Sequence, residues 1–390
     1  MRVVILGGGY GGLRAIEKLV KLPDTELVLV DKNGYHYLQT EVYGYIAGTR
    51  DIDELAIDLQ AWCDGYGGRV RFVKSEILGV EPESKRVVLE KESLSYDILI
   101  VATGARTRFP DAIEGLRRHG FGVKHLHRAF LFRHLFEAEI ERKVQGESEK
   151  VEIVVAGAGL SGVEVAAEMA HTLKRYAKTL GAHEKEIRVT LLDACDTILP
   201  GMHPKIVAVS KRRLASLKVR IRTGAYIEKV EERQLVLKNG ESLPYTFIIF
   251  TGGITANSGF FQAAAKNGIG QLEVDPWLKI PGTHDIYAIG DVADIRDSRG
   301  DPLPPTAQIA EKSAEYVAKA VAARQNGRSV PPFRGRIDGM FIALGGRYGA
   351  AEIFGIRFHG MSAYWFKKLV TFVYRLGISL RANTAYRIRS

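Results

Sequence analysis

Two glycine-rich loops carry the residue pattern that most clearly predicts chemistry in this chain. Each fits G-x-G-x-x-G, follows an apolar strand and opens a predicted helix. In that setting, backbone N–H groups close on a diphosphate at the positive end of the helix. Two such loops predict two bound dinucleotides and electron transfer between them. The candidate phosphate-binding residues are Gly7, Gly9, Tyr10, Gly11 and Gly12 in the first loop and Gly157, Gly159, Ser161 and Gly162 in the second.

An acidic residue ends the strand that follows each loop. Asp31 stands 19 positions beyond Gly12, and Asp193 stands 31 positions beyond Gly162. A carboxylate at this place accepts hydrogen bonds from ribose hydroxyls, and at Asp193 it favours NADH because it repels the 2′-phosphate of NADPH. Arg188 lies near enough in sequence to leave NADPH open. Lys32, directly after Asp31, joins the first candidate site.

Three further apolar strands end in residues suited to the ligand edge of a parallel sheet. In open α/β sheets, ligands bind beyond the carboxyl ends of the strands. A structural cap of the next helix is the alternative for the last residue of this set. The candidates are Ala102, Thr103, Gly104, Gly252, Gly253, Gly290 and Asp291.

The elements that must position these residues form a repeated order. A β-α-β unit, a run of short strands and a strand that ends in glycine occur twice, which indicates an internal duplication. We predict an α/β fold with two Rossmann-like dinucleotide-binding domains. The predicted helices are Gly11–Lys21, Arg128–Gln145, Gly162–Gly181, Thr306–Ala323 and Ser362–Leu376.

Composition excludes several classes of protein. The two cysteines, Cys63 and Cys195, are far apart and form no C-x-x-C pair, so a disulfide framework is not expected and a reducing compartment is the default. No signal peptide and no uncharged apolar run of about 18 residues is visible, so no transmembrane helix is expected. We predict no metal site, and no nucleic-acid-binding module is recognisable.

The last sixty residues hold most of the net charge of +10, with ten basic and two acidic residues. Such a tail favours an anionic surface, although a solvated face is the alternative. The predicted helix Ser362–Leu376 carries an apolar stripe beside a basic one, as helices at a membrane interface do. Packing onto the core and a dimer interface are the alternatives. The apolar stripe is Trp365, Leu369, Phe372, Val373 and Leu376, and the other side carries Lys367, Lys368, Thr371 and Arg375.

Taken together, the loops, Asp31, Asp193, Ala102–Gly104 and the Gly290-Asp291 pair resemble the two-dinucleotide-binding flavoprotein superfamily. The resemblance covers residues 1 to about 325. It implies that the first loop binds FAD, the second binds NAD(P)H, and Asp291 contacts the ribityl–phosphate region of the flavin. It also implies domain bounds, namely an FAD-binding domain at 1–115 and 256–328, an NADH-binding domain at 116–255, and a C-terminal membrane-associated region at 329–390.

Within that superfamily, Pro304–Lys312 resembles the A-Q-x-A-x-Q segment of type II NADH dehydrogenases, and Tyr37–Tyr43 and Leu344–Tyr348 resemble other segments of that family. The resemblance implies that Ala307 and Gln308 lie under the flavin, and that Gln308 hydrogen-bonds a quinone carbonyl. Lys312 departs from the pattern, because the family usually has glutamine there. Lys312 is expected to donate to a quinone oxygen, with a solvated helix residue as the alternative.

Glu164, just inside the second helix, is expected near the contact between nicotinamide and flavin. Its alternative is a favourable acid in the first helical turn.

The predicted function is therefore an FAD-dependent NADH:quinone oxidoreductase of the respiratory chain. Hydride passes from NADH to FAD, and two electrons pass to a membrane quinone without proton pumping. We expect a peripheral protein at the cytoplasmic face of the cell membrane, docked on anionic lipid, with a homodimer possible. The missing cysteine pair disfavours the disulfide reductases. A sulfide:quinone oxidoreductase or a related flavin reductase is the alternative, and an FAD-bound redox-sensing protein is a third reading.

Overall fold

The computed structural model describes residues 1–146, 150–180 and 187–389. The predicted helices are present with shifted ends, and the last residue predicted for the second loop's helix, Gly181, lies outside the described residues. The C-terminal helix is much longer than the apolar stripe predicted. The helices of the described residues are α1 (Tyr10–Leu19), α2 (Val42–Ile46), α3 (Leu59–Asp64), α4 (Leu116–His119), α5 (Leu126–Val144), α6 (Leu160–Leu180), α7 (Pro204–Ser216), α8 (Ala307–Gln325) and α9 (Met361–Arg389).

The strands are short, as expected for a chain rich in turns. In chain order they are β1 (Arg2–Leu6), β2 (Glu26–Asp31), β3 (Tyr35–Tyr37), β4 (Ala56–Asp58), β5 (Val70–Lys74), β6 (Ile77–Glu81), β7 (Arg86–Leu89), β8 (Ser93–Ser95), β9 (Ile98–Val101), β10 (Ala105–Thr107), β11 (Gly120–Gly122), β12 (Val151–Ala156), β13 (Ile187–Leu192), β14 (Arg220–Arg222), β15 (Ile227–Glu231), β16 (Gln234–Leu237), β17 (Ser242–Pro244), β18 (Phe247–Phe250), β19 (Ile254–Ala256), β20 (Leu272–Glu273), β21 (Ile286–Ala288), β22 (Ala293–Asp294), β23 (Gly339–Ala343), β24 (Gly349–Ile353) and β25 (Ile356–Gly360).

Two five-stranded parallel sheets form the framework, with orders β21-β9-β1-β2-β5 and β11-β18-β12-β13-β14. Their inner strands, such as β1 and β9, are nearly continuous runs of buried Val, Ile and Leu, because helices cover both faces of such sheets. The strands that lead into the glycine loops, β1 and β12, occupy the middle of their sheets. The α/β fold class with two Rossmann-like units is confirmed.

The duplication extends to the smaller elements. Each half carries an antiparallel meander, β6-β7-β8 in the first and β15-β16-β17 in the second. The pair β10–β19 joins the segments that follow the strand-end turns of the two halves. Strand β21 returns to the first sheet, beside β9. This return supports the split FAD-binding domain, whose bounds stay a prediction.

The C-terminal region forms an antiparallel sheet, β23-β24-β25, followed by α9. Helix α9 contacts α3 and this sheet, so it is docked on the body of the protein. Among the described residues, no helix is both long and apolar enough to cross a bilayer.

Candidate active site

The first glycine loop is held by its neighbouring strands and by Asp31. The Gly7 N–H donates to the Val30 carbonyl at 2.7 Å, and the Gly8 N–H donates to Asp31 Oδ2 at 2.7 Å. Gly7 has a φ of +111°, and a Cβ there would overlap the carbonyl oxygen of Ala102. A Cβ at Gly12 would overlap the Gly7 carbonyl oxygen. Only glycine therefore permits this turn and the close approach of the helix.

The second loop repeats this arrangement with different residues. The Gly157 N–H donates to the Leu192 carbonyl at 2.8 Å, and Asp193 accepts from the Ala158 N–H. Gly157 has a φ of +110°, and a Cβ at Gly162 would overlap the Gly157 carbonyl oxygen. The turn at Gly252 packs on this loop as Ala102 packs on the first. The structure thus gives the two motifs the same backbone geometry.

Arg188 is directed away from the second ribose position. Its guanidinium pairs with Glu152 at 2.8 Å, at the opposite end of β13 from Asp193. No positive charge from this residue is thus presented where a 2′-phosphate would lie.

A cleft of about 320 Å³ opens beside the first loop, and its walls fit a dinucleotide diphosphate. Gly9, at the helix N-terminus, has open space where a side chain would project. The predicted Lys32, Ala102, Thr103 and Gly104 line the cleft. So do Arg106, in strand β10, and Lys124 and His125, just before α5. The sequence did not predict these three residues because no motif marks them.

The cleft is electropositive, as an anionic ligand requires. Burial lowers the pKa of His125, and the charges of Lys32, Arg106, Arg128 and Lys124 lower it further. Burial raises the pKa of Asp31, against the opposing hydrogen bonds from the N–H groups of Asn33 and Gly8. The Asp31 carboxylate thus braces the loop through the N–H groups of Gly8 and Asn33.

Asp291 lies in the turn after β21 and forms an ion pair with Lys124, whose ammonium is 3.0 Å away. Lys124 lines the cleft, so Asp291 is connected to the first site through this lysine. Gly290, with a φ of +67°, packs against Ala310 of α8, and its N–H donates to the Ser313 hydroxyl oxygen at 3.2 Å. Helix α8 is thereby fixed against the turn.

The start of α8 brings Gln308 and Lys312 together, one helical turn apart, on the face that meets the C-terminal region. Gln308 Oε1 accepts from the Asp338 N–H at 2.8 Å. Lys312 Nζ donates to Asp338 Oδ2 at 2.6 Å and to the Arg336 carbonyl at 2.8 Å. Lys312 is therefore not a solvated helix residue. It fixes the segment that leads into β23.

Glu164 lies on α6 where that helix meets the C-terminal region. It accepts from the Ala343 N–H at 2.9 Å and forms an ion pair with Lys367 of α9. Burial raises the pKa of Glu164, and the Lys367 ammonium and the Ala343 N–H only partly offset that rise. Glu164 lies beyond the first turn of α6, and its side chain is enclosed between α6, β23 and α9. Its place near the nicotinamide and the flavin stays a prediction.

Glu41, which the sequence reasoning did not single out, anchors the other side of α9. Its side chain is 1% exposed and lies 2.7 Å from Arg50, 3.3 Å from Lys368 and 3.0 Å from the Thr371 hydroxyl. The nearby Arg375 reaches the exposed Glu54 at 3.6 Å. The basic side of α9 consequently faces the protein.

The apolar side of α9 faces outward. Leu369, Phe372 and Val373 are 56–60% exposed, and Trp365 and Leu376 are exposed as well. Packing of this stripe onto the core is thereby ruled out. Lys367, Lys368 and Arg375 are held by buried or nearby carboxylates. The docking of the C-terminal region on an anionic surface stays a prediction.

The two cysteines do not form a redox pair. Cys63 is buried and Cys195 is exposed, and both are free thiols. Burial raises the pKa of Cys63 to about 12, which leaves it protonated.

Among the described residues, no cluster of three or more metal-ligating side chains is present.

The chain has two loops of the same backbone geometry, and each lies on a parallel sheet and is braced by a carboxylate. This arrangement defines the class of oxidoreductases that bind two dinucleotides. The chain belongs to the pyridine nucleotide-disulphide oxidoreductase family, whose family model matches residues 1–321.

Curated relatives narrow the resemblance within that family. Proteins named type II NADH:quinone oxidoreductase from Staphylococcus epidermidis and Staphylococcus haemolyticus are 28% and 27% identical to this chain. The first alignment covers 96% of both chains, and the second covers 95% of this chain and 94% of the relative. The resemblance to type II NADH dehydrogenases predicted from the sequence is confirmed.

Solved structures share the whole fold. NDH2 from Plasmodium falciparum in complex with RYL-552 superposes with a TM-score of 0.87 at 19% identity, over 99% of this chain and 97% of that one. The sulfide:quinone oxidoreductase from Aquifex aeolicus gives a TM-score of 0.82 at 15% identity, over 97% of this chain and 92% of that one. At these identities the likeness is one of fold.

Proposed function

We propose that the chain is an FAD-dependent NADH:quinone oxidoreductase. The observation that carries the proposal is the pair of equivalent loops in a chain aligned over almost its whole length with relatives named type II NADH:quinone oxidoreductase. A solved structural neighbour, NDH2 from Plasmodium falciparum, is described in complex with NADH. The alternative, a sulfide:quinone oxidoreductase, has less support, because the fold likeness is not accompanied by a cysteine pair.

The first loop is the proposed FAD site. Its N–H groups and the cations Lys32, Arg106 and Lys124 hold the diphosphate, and Asp31 accepts from a ribose hydroxyl. When bound, FAD supplies the two-electron chemistry, accepting hydride from a nicotinamide and returning electrons to a quinone. The protein binds, orients and shields the reactants, and the proposed chemistry requires no side chain as a nucleophile.

The second loop is the proposed NADH site. Gly157, Gly159, Ser161 and Gly162 receive the diphosphate, and Asp193 accepts from the adenosine ribose. Glu164 fixes the start of α6 against β23 and α9 through Ala343 and Lys367. We assign to Glu164 the role of holding these elements together where the nicotinamide meets the flavin.

The start of α8 is the proposed quinone side. Gln308 uses its carbonyl oxygen to hold the Asp338 N–H, so its amide N–H groups are the donors offered to a quinone carbonyl. Lys312 shapes this side by fixing residues 336–338, and its ammonium, already shared between Asp338 and the Arg336 carbonyl, provides positive charge for a quinone oxygen.

The outer face of α9 is the proposed membrane contact. We place the protein peripherally at the cytoplasmic face of the membrane, with Trp365, Leu369, Phe372 and Val373 inserted among lipids. Because Lys367, Lys368 and Arg375 already pair with carboxylates of the protein, we expect apolar insertion to contribute more to this part of the contact than these three cations do. A homodimer interface is the alternative for this face.

Substitutions on the exposed face test the membrane contact while the inward ion pairs stay intact. Burying the exposed apolar surface of one such Leu or Phe in lipid would contribute roughly 1 to 1.5 kcal/mol of transfer free energy. Leu369→Ser with Phe372→Ser should therefore lower the liposome partition coefficient, measured by co-sedimentation, about 30- to 160-fold. Leu78→Ser is the control, since Leu78 is equally exposed on a meander. Unchanged sedimentation of the double variant contradicts the contact.

The enzymatic proposal is tested by a steady-state screen of the holoprotein with NADH, NADPH and sulfide as donors and short-chain quinones as acceptors. We expect turnover of NADH with quinone at roughly tens per second, an ordinary enzyme rate. Turnover with sulfide and not with NADH would favour the alternative function.

A further inference from the structure

A buried histidine connects the first glycine loop to the C-terminal helix. His36 is fully buried, its Nδ1 lies 2.9 Å from the Gly8 carbonyl oxygen, and its Nε2 lies 3.0 Å from the Tyr374 hydroxyl. Residue 36 is in β3, and Tyr374 is in α9. The two hydrogen bonds thus form a chain from the outer helix to the loop.

The direction of this chain is fixed by chemistry. The Gly8 carbonyl oxygen can only accept, so Nδ1 carries the hydrogen. Burial lowers the pKa of His36 to about 4, so the ring is neutral at physiological pH and its Nε2 is an acceptor. Tyr374 must therefore donate its hydroxyl hydrogen to Nε2.

Fixing the Gly8 carbonyl also fixes the next amide. In a planar trans peptide, the carbonyl of Gly8 and the N–H of Gly9 point in opposite directions. The Gly7 and Gly8 N–H groups already donate to Val30 and Asp31. Among the hydrogen bonds of the described residues, none uses the Gly9 N–H, and the space around Gly9 is open. The histidine thus directs a spare N–H away from itself, at a residue that lines the cleft.

The second loop fixes its equivalent peptide differently. The Ala158 carbonyl, which corresponds to that of Gly8, accepts from the Leu199 N–H at 2.8 Å. That donor is backbone from the same half of the molecule. In the first loop the donor is a side chain, and it is in turn held by a helix from the far end of the sequence.

The contact with α9 is also apolar. The Tyr374 ring lies 5.0 Å from the ring of Tyr10, which is the first residue of α1, and Tyr10 packs edge-on against His36 at 5.0 Å. The same helix exposes Phe372 and Val373 on its outer side. Docking of α9 and the conformation of the loop are therefore linked through Tyr374.

We propose that His36 and Tyr374 are positioning residues for the FAD diphosphate, which set the Gly9 N–H toward it and make FAD retention depend on the docked C-terminal helix. The inference rests on the proposed function, which places FAD in the first loop. Neither side chain needs to touch the reacting atoms.

The test uses two readouts on the full-length chain and its variants. The FAD dissociation constant is measured by the fluorescence of released FAD, and the bound diphosphate is observed by ³¹P NMR. Tyr374→Phe keeps the ring contact with Tyr10 and removes only the donor. We expect it to raise the dissociation constant about five- to tenfold, the effect of one lost neutral hydrogen bond. The ³¹P resonances should shift, because the Gly9 donor is no longer held in place.

Variants of the histidine give the rescue. His36→Leu removes the donor to Gly8 and should weaken FAD binding about tenfold or more. His36→Asn places an amide N–H near the position of Nδ1 and should recover most of that loss. Tyr316→Phe is the matched control, because its hydroxyl donates to the Pro331 carbonyl at 2.7 Å outside this cluster.

The outcomes separate the two claims. If Tyr374→Phe leaves both the dissociation constant and the ³¹P spectrum of a flavin-bound protein unchanged, the positioning role is refuted and the proposed function stands. If the unsubstituted chain binds no FAD, the proposed function and this inference both fail.

Discussion

A single buried carboxylate, Glu41, pairs with two cations and a hydroxyl around α9, and Glu41→Gln removes its charge. Glu41 is 1% exposed and lies within 3.3 Å of Arg50, Lys368 and the Thr371 hydroxyl. The substitution removes the carboxylate that Lys368 pairs with and leaves Arg50 with Glu54 as its remaining counter-charge, while it barely changes volume. We expect the helix to undock more readily, whereas the parallel sheets stay intact.

The magnitude follows from the exposure of the cations left behind. Removing one partner of a buried ion pair costs about 3–5 kcal/mol, because the remaining charge is uncompensated. Lys368 and Arg50 are 24% and 15% exposed, so water relieves part of that cost. We therefore expect the lower value, about 3 kcal/mol, which corresponds to a roughly 100-fold larger population of undocked helix.

Hydrogen exchange of the α9 amides, read by mass spectrometry, measures this population. An undocked helix is marginally stable in water, so its amides exchange when it leaves the body. Glu54→Gln is the matched control, since Glu54 also faces α9 through Arg375 but is 36% exposed and should contribute at most about 1 kcal/mol. Equal exchange in Glu41→Gln and the unsubstituted protein would refute the reasoning about Glu41.

Three other predictions concern charge. Burial acts to raise the pKa of Glu41, but the charges of Lys367, Lys368 and Arg50 outweigh burial and lower that pKa. The stabilisation by Glu41 is therefore present above its unfolded pKa of about 4.3 and is lost as pH falls through its folded pKa. The difference in hydrogen exchange between Glu41→Gln and the unsubstituted protein should vanish in strong acid. Asp193→Ala removes the repulsion of a 2′-phosphate. The ratio of kcat/KM for NADH to that for NADPH should fall tenfold or more, on the order of 1.4 kcal/mol. An unchanged ratio would show that another group selects the cofactor. Lys312→Gln removes the ion pair with Asp338. It should raise the KM for a short-chain quinone severalfold without changing the rate of flavin reduction by NADH. Slower flavin reduction by NADH would show that Lys312 does not act on the quinone side.

Local pattern was enough to predict the two loops and the sheets that carry them. The backbone of a glycine-rich turn between a strand and a helix is determined within a few residues, so the spacing of Gly7, Gly12 and Asp31 already defines the geometry. The duplication was visible for the same reason, since each half repeats the same short-range signals.

The orientation of α9 was not predictable from its own sequence. Periodicity shows that the helix has an apolar and a basic side, but not which side is buried. The answer depends on Glu164 and Glu41, which lie 203 and 327 positions away from their lysine partners. Buried carboxylates that attract the basic side leave the apolar side exposed, which reverses the usual arrangement of a surface helix.

Lys312 and Arg188 were ambiguous for related reasons. The sequence placed Lys312 on a helix face, but its partner Asp338 follows a linker whose path no pattern fixes. Arg188 is close to Asp193 in number, yet an extended strand separates them, and Arg188 pairs with Glu152 instead. Proximity along a strand is therefore a weak guide to proximity in a site.

The central claim is tested most directly by rapid mixing of the flavin-bound protein with NADH in the absence of oxygen, followed by a short-chain quinone. The oxidised-flavin absorbance should disappear on mixing with NADH and return when the quinone is added. A flavin that stays oxidised with NADH but is reduced by sulfide would contradict the proposed function.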